Sequence, residues 1–124
     1  MLEILPVQDK TIQESLCLRC SAKFDPELMA YAAYVDGSAV GLCQFSMKYN
    51  KGTIVSLSNI SGFNDTHSLF LTCRAVLNFM DLGGVQTITY KSDNINNDLP
   101  CSIGFSKNSD GIYEINLTHL SDHP

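Results

Sequence analysis

The chain has 124 residues, 44% of them hydrophobic and 17% charged, with a formal net charge of -5. That length suits one domain with a single core, and no stretch reaches the roughly 18 consecutive apolar residues of a membrane helix; a soluble globular domain over residues 1–120 with a flexible tail at 121–124 is expected. Eight Lys and Arg against thirteen Asp and Glu leave no basic stripe to displace counterions from a phosphate backbone, which argues against a nucleic-acid partner, and any polyphosphate ligand has to be held by local donors.

Met1-Leu2-Glu3-Ile4-Leu5-Pro6 is not a basic leader followed by an apolar run, so the cytoplasm is the expected compartment and no membrane partner is expected. Cys17, Cys20, Cys43, Cys73 and Cys101 are odd in number and scattered through apolar segments, which reads as free, reduced core thiols.

Leu2 to Val7 is a short apolar run containing Pro6, and a proline with no N–H to donate suits an edge strand. Asp9 is an N-cap for a helix over residues 10–20, with Ile12, Leu16, Cys17 and Cys20 at helical spacing. Asp25-Pro26-Glu27 predicts a second, shorter helical turn. Strands follow at Tyr31 to Val35 and Ala39 to Met47, joined by the hairpin signal Asp36-Gly37-Ser38, and a turn at Asn50-Lys51-Gly52 leads into a strand from Thr53 to Ile60. Residues 67–82 read as one mostly buried helix, polar only at His67, Ser68, Thr72, Arg74, Asn78 and Asp81, with Gly83-Gly84 as its stop. A strand over Val85 to Lys91, an irregular segment through residues 93–97 to Pro100, a turn at Ser109-Asp110-Gly111 and a last strand from Ile112 to Leu117 complete the chain. This order predicts an α/β (α+β) fold, a mixed and mostly antiparallel central sheet flanked by helices.

Four local matches in the right order carry a family resemblance: Arg74-Ala75-Val76-Leu77-Asn78-Phe79, Gly84-Val85-Gln86-Thr87-Ile88, Ser92-Asp93-Asn94 and Ile103-Gly104-Phe105, with Asp36-Gly37-Ser38-Ala39-Val40-Gly41 as the early hairpin. In these the chain resembles the GNAT N-acetyltransferases. The resemblance implies acetyl-CoA as cofactor and an acetyl group moved to an amine, on a small molecule or a peptide. It also implies that the acyl carbonyl and pantetheine lie against Asn59, Ile60 and Ser61 at the end of the fourth strand, and the pyrophosphate against Thr66, His67 and Ser68 at the start of the long helix. There the family carries Arg/Gln-x-x-Gly-x-Gly/Ala, where glycines and free helix N–H groups cradle phosphate. Aligned on Arg74, Phe79 and Gly84, this chain reads Asn64-Asp65-Thr66-His67-Ser68-Leu69, with none of the defining residues. Asp65 brings negative charge to the phosphate position and Leu69 brings bulk, while Asn64-Asp65-Thr66 equally suits an ordinary N-cap. Many members use a tyrosine as general acid on the short helix before Gly-Phe; here that segment reads Asp98-Leu99-Pro100-Cys101-Ser102-Ile103, leaving Cys101 as the nearest candidate, with a small core hydrophobe as its plainer reading.

Cys17-Leu18-Arg19-Cys20 spells C-x-x-C, but no second such pair or C-x-x-H accompanies it and its cysteines share an apolar helix face, so no metal or redox centre is expected. His67, His119 and His123 are too scattered for a metal cluster or a Ser-His-Asp arrangement. Asp25 and Glu27 face either an amine substrate or solvent; Tyr31, Tyr34 and Tyr90 are either cleft hydroxyls or strand filler. Two functions stay open: an acyl-CoA-dependent N-acetyltransferase, or a catalytically inactive GNAT-like domain that binds a small ligand or pairs with a protein, including a homodimer.

Overall fold

The computed structural model describes residues 1–92 and 98–117. The expectations for residues 93–97, His119, His123 and the tail lie outside that range. Ten elements follow in order: β1 (Leu2–Val7), α1 (Lys10–Arg19), β2 (Met29–Val35), β3 (Ser38–Lys48), β4 (Lys51–Asn59), α2 (Thr66–Leu82), β5 (Thr87–Tyr90), α3 (Leu99–Ile103), β6 (Ser106–Lys107) and β7 (Tyr113–Asn116).

The strands form one sheet in the order β1-β2-β3-β4-β5-β7-β6, antiparallel throughout except for the parallel pair β4–β5. The expected mixed, mostly antiparallel sheet is present, and β1 with Pro6 is at its edge. The first hairpin turns on two residues, Asp36 and Gly37, between paired Val35 and Ser38. The second turns on Tyr49 and Asn50, one position earlier than expected, because Gly52 is needed inside β4: a Cβ there would stand 2.6 Å from the Met80 sulfur of α2. The segment Asp25-Pro26-Glu27 forms a turn without helix, closed by the Glu27 N–H on Asp25 Oδ1 (2.9 Å) and the Leu28 N–H on the Asp25 carbonyl (3.1 Å). At the end of α2 the left-handed residue is Gly84 (φ 86), while Gly83 keeps an ordinary φ of -85.

Strand alternation divides the core into two layers. Ala30, Ala32 and Leu42 pack with Leu16 and Cys17 of α1 and with Cys20, which caps it. Cys43 and Phe45 pack on the opposite face with Leu69, Cys73, Val76, Leu77 and Met80 of α2. Two bulges modify the alternation. Val40 is an extra residue on β3, since Ala33 pairs with Gly41 and Tyr34 with Ala39. Val55 is an extra residue on β4, since Gln44 pairs with Ser56 and Phe45 with Ile54. A bulge resets the side-chain phase, and Ile54 and Leu57, three residues apart, are therefore both buried against α2.

Candidate functional site

The β4–β5 ladder extends from Lys51–Thr87 to Ile54–Tyr90, followed by the Lys91 N–H on the Ile54 carbonyl (2.9 Å). Past that point β4 runs on from Val55 to Asn59 with no β5 ladder partner among the described residues. Instead of a strand, the Ser92 hydroxyl reaches β4 and accepts the Leu57 N–H at 2.8 Å. The parallel ladder thus stops at the bulge at Val55, and the end of β4, beside the start of α2, is the candidate site.

The six residues expected to hold a cofactor converge at this end of β4, where they bond to the protein itself. Asn59 acts as a clamp. Its Nδ2 donates to the Val40 carbonyl (3.0 Å), made available by the β3 bulge, and to Ser68 Oγ (3.2 Å), while its Oδ1 accepts the Asp65 N–H (2.9 Å). The Ile60 N–H donates to the Val40 carbonyl (2.9 Å) and the Ser61 N–H to the Arg19 carbonyl (2.8 Å), tying the loop to β3 and to the end of α1. At the start of α2 the Asp65 carboxylate accepts the N–H groups of His67 (3.1 Å) and Ser68 (3.3 Å), and the Asp65 carbonyl accepts the Ser68 hydroxyl (2.9 Å). Thr66 and His67 are exposed and Ser68 is fully buried.

These residues do not fit a pyrophosphate. The helix N–H groups that would meet it already carry a carboxylate, an anion in the same position by the same chemistry, and no Lys or Arg occurs between Asn59 and Leu69. The sequence reading of Leu69 needs correction. Its side chain points into the core, 3.4 Å from where a Cβ on Gly41 would stand, and brings no bulk to the helix end. Asp65 alone blocks the position.

The remaining candidates stay apart. Cys101 is exposed on α3, contrary to its core reading, because Leu99, Pro100 and Ile103 are the residues of this one-turn helix that face inward. The Arg74 guanidinium donates to the Ile103 carbonyl (2.9 Å) and fastens α3 to α2. The other four thiols are buried as expected. Burial pushes Cys20 up to about 11 and Cys73 up to about 12, and raises Cys17 and Cys43 as well; none is a thiolate nucleophile near neutral pH. Among the described residues no group of three His, Cys, Asp or Glu is placed to hold a metal ion. Tyr31 packs against Phe45 and Phe79, and Tyr90 is buried against Phe105 and Tyr113, its hydroxyl raised chiefly by burial. Sequence reasoning missed the Asn59 side chain and Ser92. The Asn59 clamp has no local signature, since its partners are 19 and 9 residues away, and Ser92 reaches a strand 35 residues earlier.

No family model and no curated protein matches the chain, whereas solved structures match over nearly its whole length. GCN5 from Tetrahymena superposes with a TM-score of 0.74 at 11% identity, covering 94% of this chain and 95% of that one. The ribosomal-protein-S18-alanine N-acetyltransferase of Escherichia coli gives 0.69 at 12%, covering 92% and 89%. The PaiA N-acetyltransferase of Thermoplasma acidophilum, in complex with coenzyme A, gives 0.67 at 10%, covering 94% and 99%. At such identities the likeness speaks for the fold, and in fold this chain is a GNAT-type domain.

Proposed function

We propose that this chain works as an N-acetyltransferase, moving an acetyl group from acetyl-CoA to an amine of a small molecule or a peptide. The observation that carries this reading is the end of the parallel ladder: β4 runs on past the Ile54–Tyr90 pair towards the start of α2, in a fold shared with acetyltransferases, one of them holding coenzyme A. The chain's own contribution would be to keep the end of β4 rigid and aligned, through the Asn59 clamp and the bond between Ser92 and Leu57. No catalytic acid or base is assigned.

The Asp65 cap favours a second reading, a catalytically inactive GNAT-like domain that uses the end of β4 for a small ligand or its sheet edge for a protein partner. One experiment separates the two. Thermal unfolding of the wild type and of Asp65→Ala is recorded with and without millimolar acetyl-CoA, because a ligand bound only by the native state raises the transition by mass action. The transferase reading expects a rise of several degrees in the wild type; no rise in the wild type, whether or not Asp65→Ala responds, would leave the inactive reading.

A further inference from the structure

A cavity of about 350 Å3 opens far from the end of β4, where the end of β1 meets the carboxyl half of α2. About fourteen residues of helix separate its Phe79 from Asp65, roughly 20 Å at 1.5 Å per residue. Its wall is aromatic. Tyr31 of β2, Phe45 of β3 and Phe79 of α2 form a triangle with ring centroids 5.8 to 5.9 Å apart, flanked by Pro6 and Met29. Phe45 is buried, but Phe79 remains 39% and Met29 36% exposed, so apolar surface faces the opening.

Lys10 is also part of the lining. Its Nζ donates to the Leu28 carbonyl (2.6 Å) and to Gln13 Oε1 (2.9 Å), and Gln13 is itself anchored by Gln44 (2.9 Å). An ammonium carries three protons, and both of its acceptors are neutral. The neighbouring Asp9 carboxylate is committed to the α1 cap. A positive charge held in place by two hydrogen bonds, with a third proton to give, thus stands beside an aromatic pocket in a chain of net charge -5.

We infer that this cavity binds a small monocarboxylate with an aromatic or branched apolar body. The body covers Phe79, Met29 and Tyr31, and the carboxylate accepts from Lys10, in the usual combination of apolar walls with a few fixed polar groups. One ammonium proton suits a single negative charge and not a phosphate dianion, which needs several donors. The inference does not depend on the transferase reading, since the two places lie at opposite ends of α2.

The test titrates 4-phenylbutyrate and its neutral analogue 4-phenylbutyramide into wild type and Lys10→Gln, followed by NMR of the Met29 methyl and the Phe79 ring. In the wild type the acid should bind at least about fivefold tighter than the amide, as a charge-assisted bond implies, with shifts at Met29 and Phe79. Lys10→Gln, at an exposed position, should erase the preference while the amide still binds. Asp65→Ala should leave both affinities unchanged, and millimolar acetyl-CoA should not displace the acid. Equal binding of acid and amide, no shift at Met29 or Phe79 at millimolar ligand, an acid preference that survives Lys10→Gln, or displacement by acetyl-CoA would each overturn the assignment.

Discussion

The starts of the two long helices use the same device in different surroundings. At α1, Asp9 accepts the N–H groups of Thr11 (2.8 Å) and Ile12 (3.3 Å); at α2, Asp65 accepts those of His67 (3.1 Å) and Ser68 (3.3 Å). Beside Asp9 lie the end of the edge strand β1 and the cavity lined by Gln8 and Lys10. Behind Asp65 lie the Asn59 clamp, the buried Ser68 and the end of β4. A helix start stabilises any anion placed on its free N–H groups, whether its own carboxylate or a ligand's phosphate. At α2, where the family resemblance would lead one to expect a ligand, this chain has built the ordinary start that it also gives to α1.

The comparison breaks most strongly at Leu69. If the position belongs to the core, Leu69→Ala costs about 2–5 kcal/mol, as truncation of a buried leucine does; urea unfolding measures it, and a loss well below 1 kcal/mol would return the side chain to the helix surface. Smaller effects come from the caps. Asp9→Ala and Asp65→Ala should each cost about 1 kcal/mol, since the bond from the Asp65 N–H to Asn59 survives in the alanine variant and only the cap is lost. A much smaller loss at Asp65 would mean that its carboxylate does not sit on the helix in solution. The smallest perturbation is chemical. A thiol reagent at neutral pH should label Cys101 quickly and the other four cysteines only on unfolding, since burial keeps Cys20 and Cys73 protonated up to about 11 and 12. Rapid labelling of Cys17 or Cys20 in the native protein would reopen the C-x-x-C pair as a reactive site.

Local chemistry was legible. Pro6 placed β1 at the edge, Asp36-Gly37 placed a two-residue hairpin, and Asp9 and Asp65 marked helix starts, because each signal acts within a few residues. The long apolar run after Thr66 marked α2. Non-local competition was not legible. Gly52 reads as a turn residue until Met80 is packed above it, Leu69 reads as bulk at the start of the helix until Gly41 is beneath it, and Pro100 leaves open which way Cys101 turns. At the candidate site the sequence indicated the missing glycines and the unwelcome charge of Asp65. It gave no sign that the Asn59 side chain would bind Val40, Ser68 and Asp65 together, or that Tyr31, Phe45 and Phe79 would meet from three elements.

The central claim is that one carboxylate, Asp65, closes the helix end where a donor's phosphates would lie. Calorimetric titration of acetyl-CoA into wild type and Asp65→Ala tests it most directly. The account predicts that removing the carboxylate tightens binding by about fivefold or more, the ratio that ~1 kcal/mol of repulsion corresponds to. Binding that is unchanged or weaker in Asp65→Ala would contradict it.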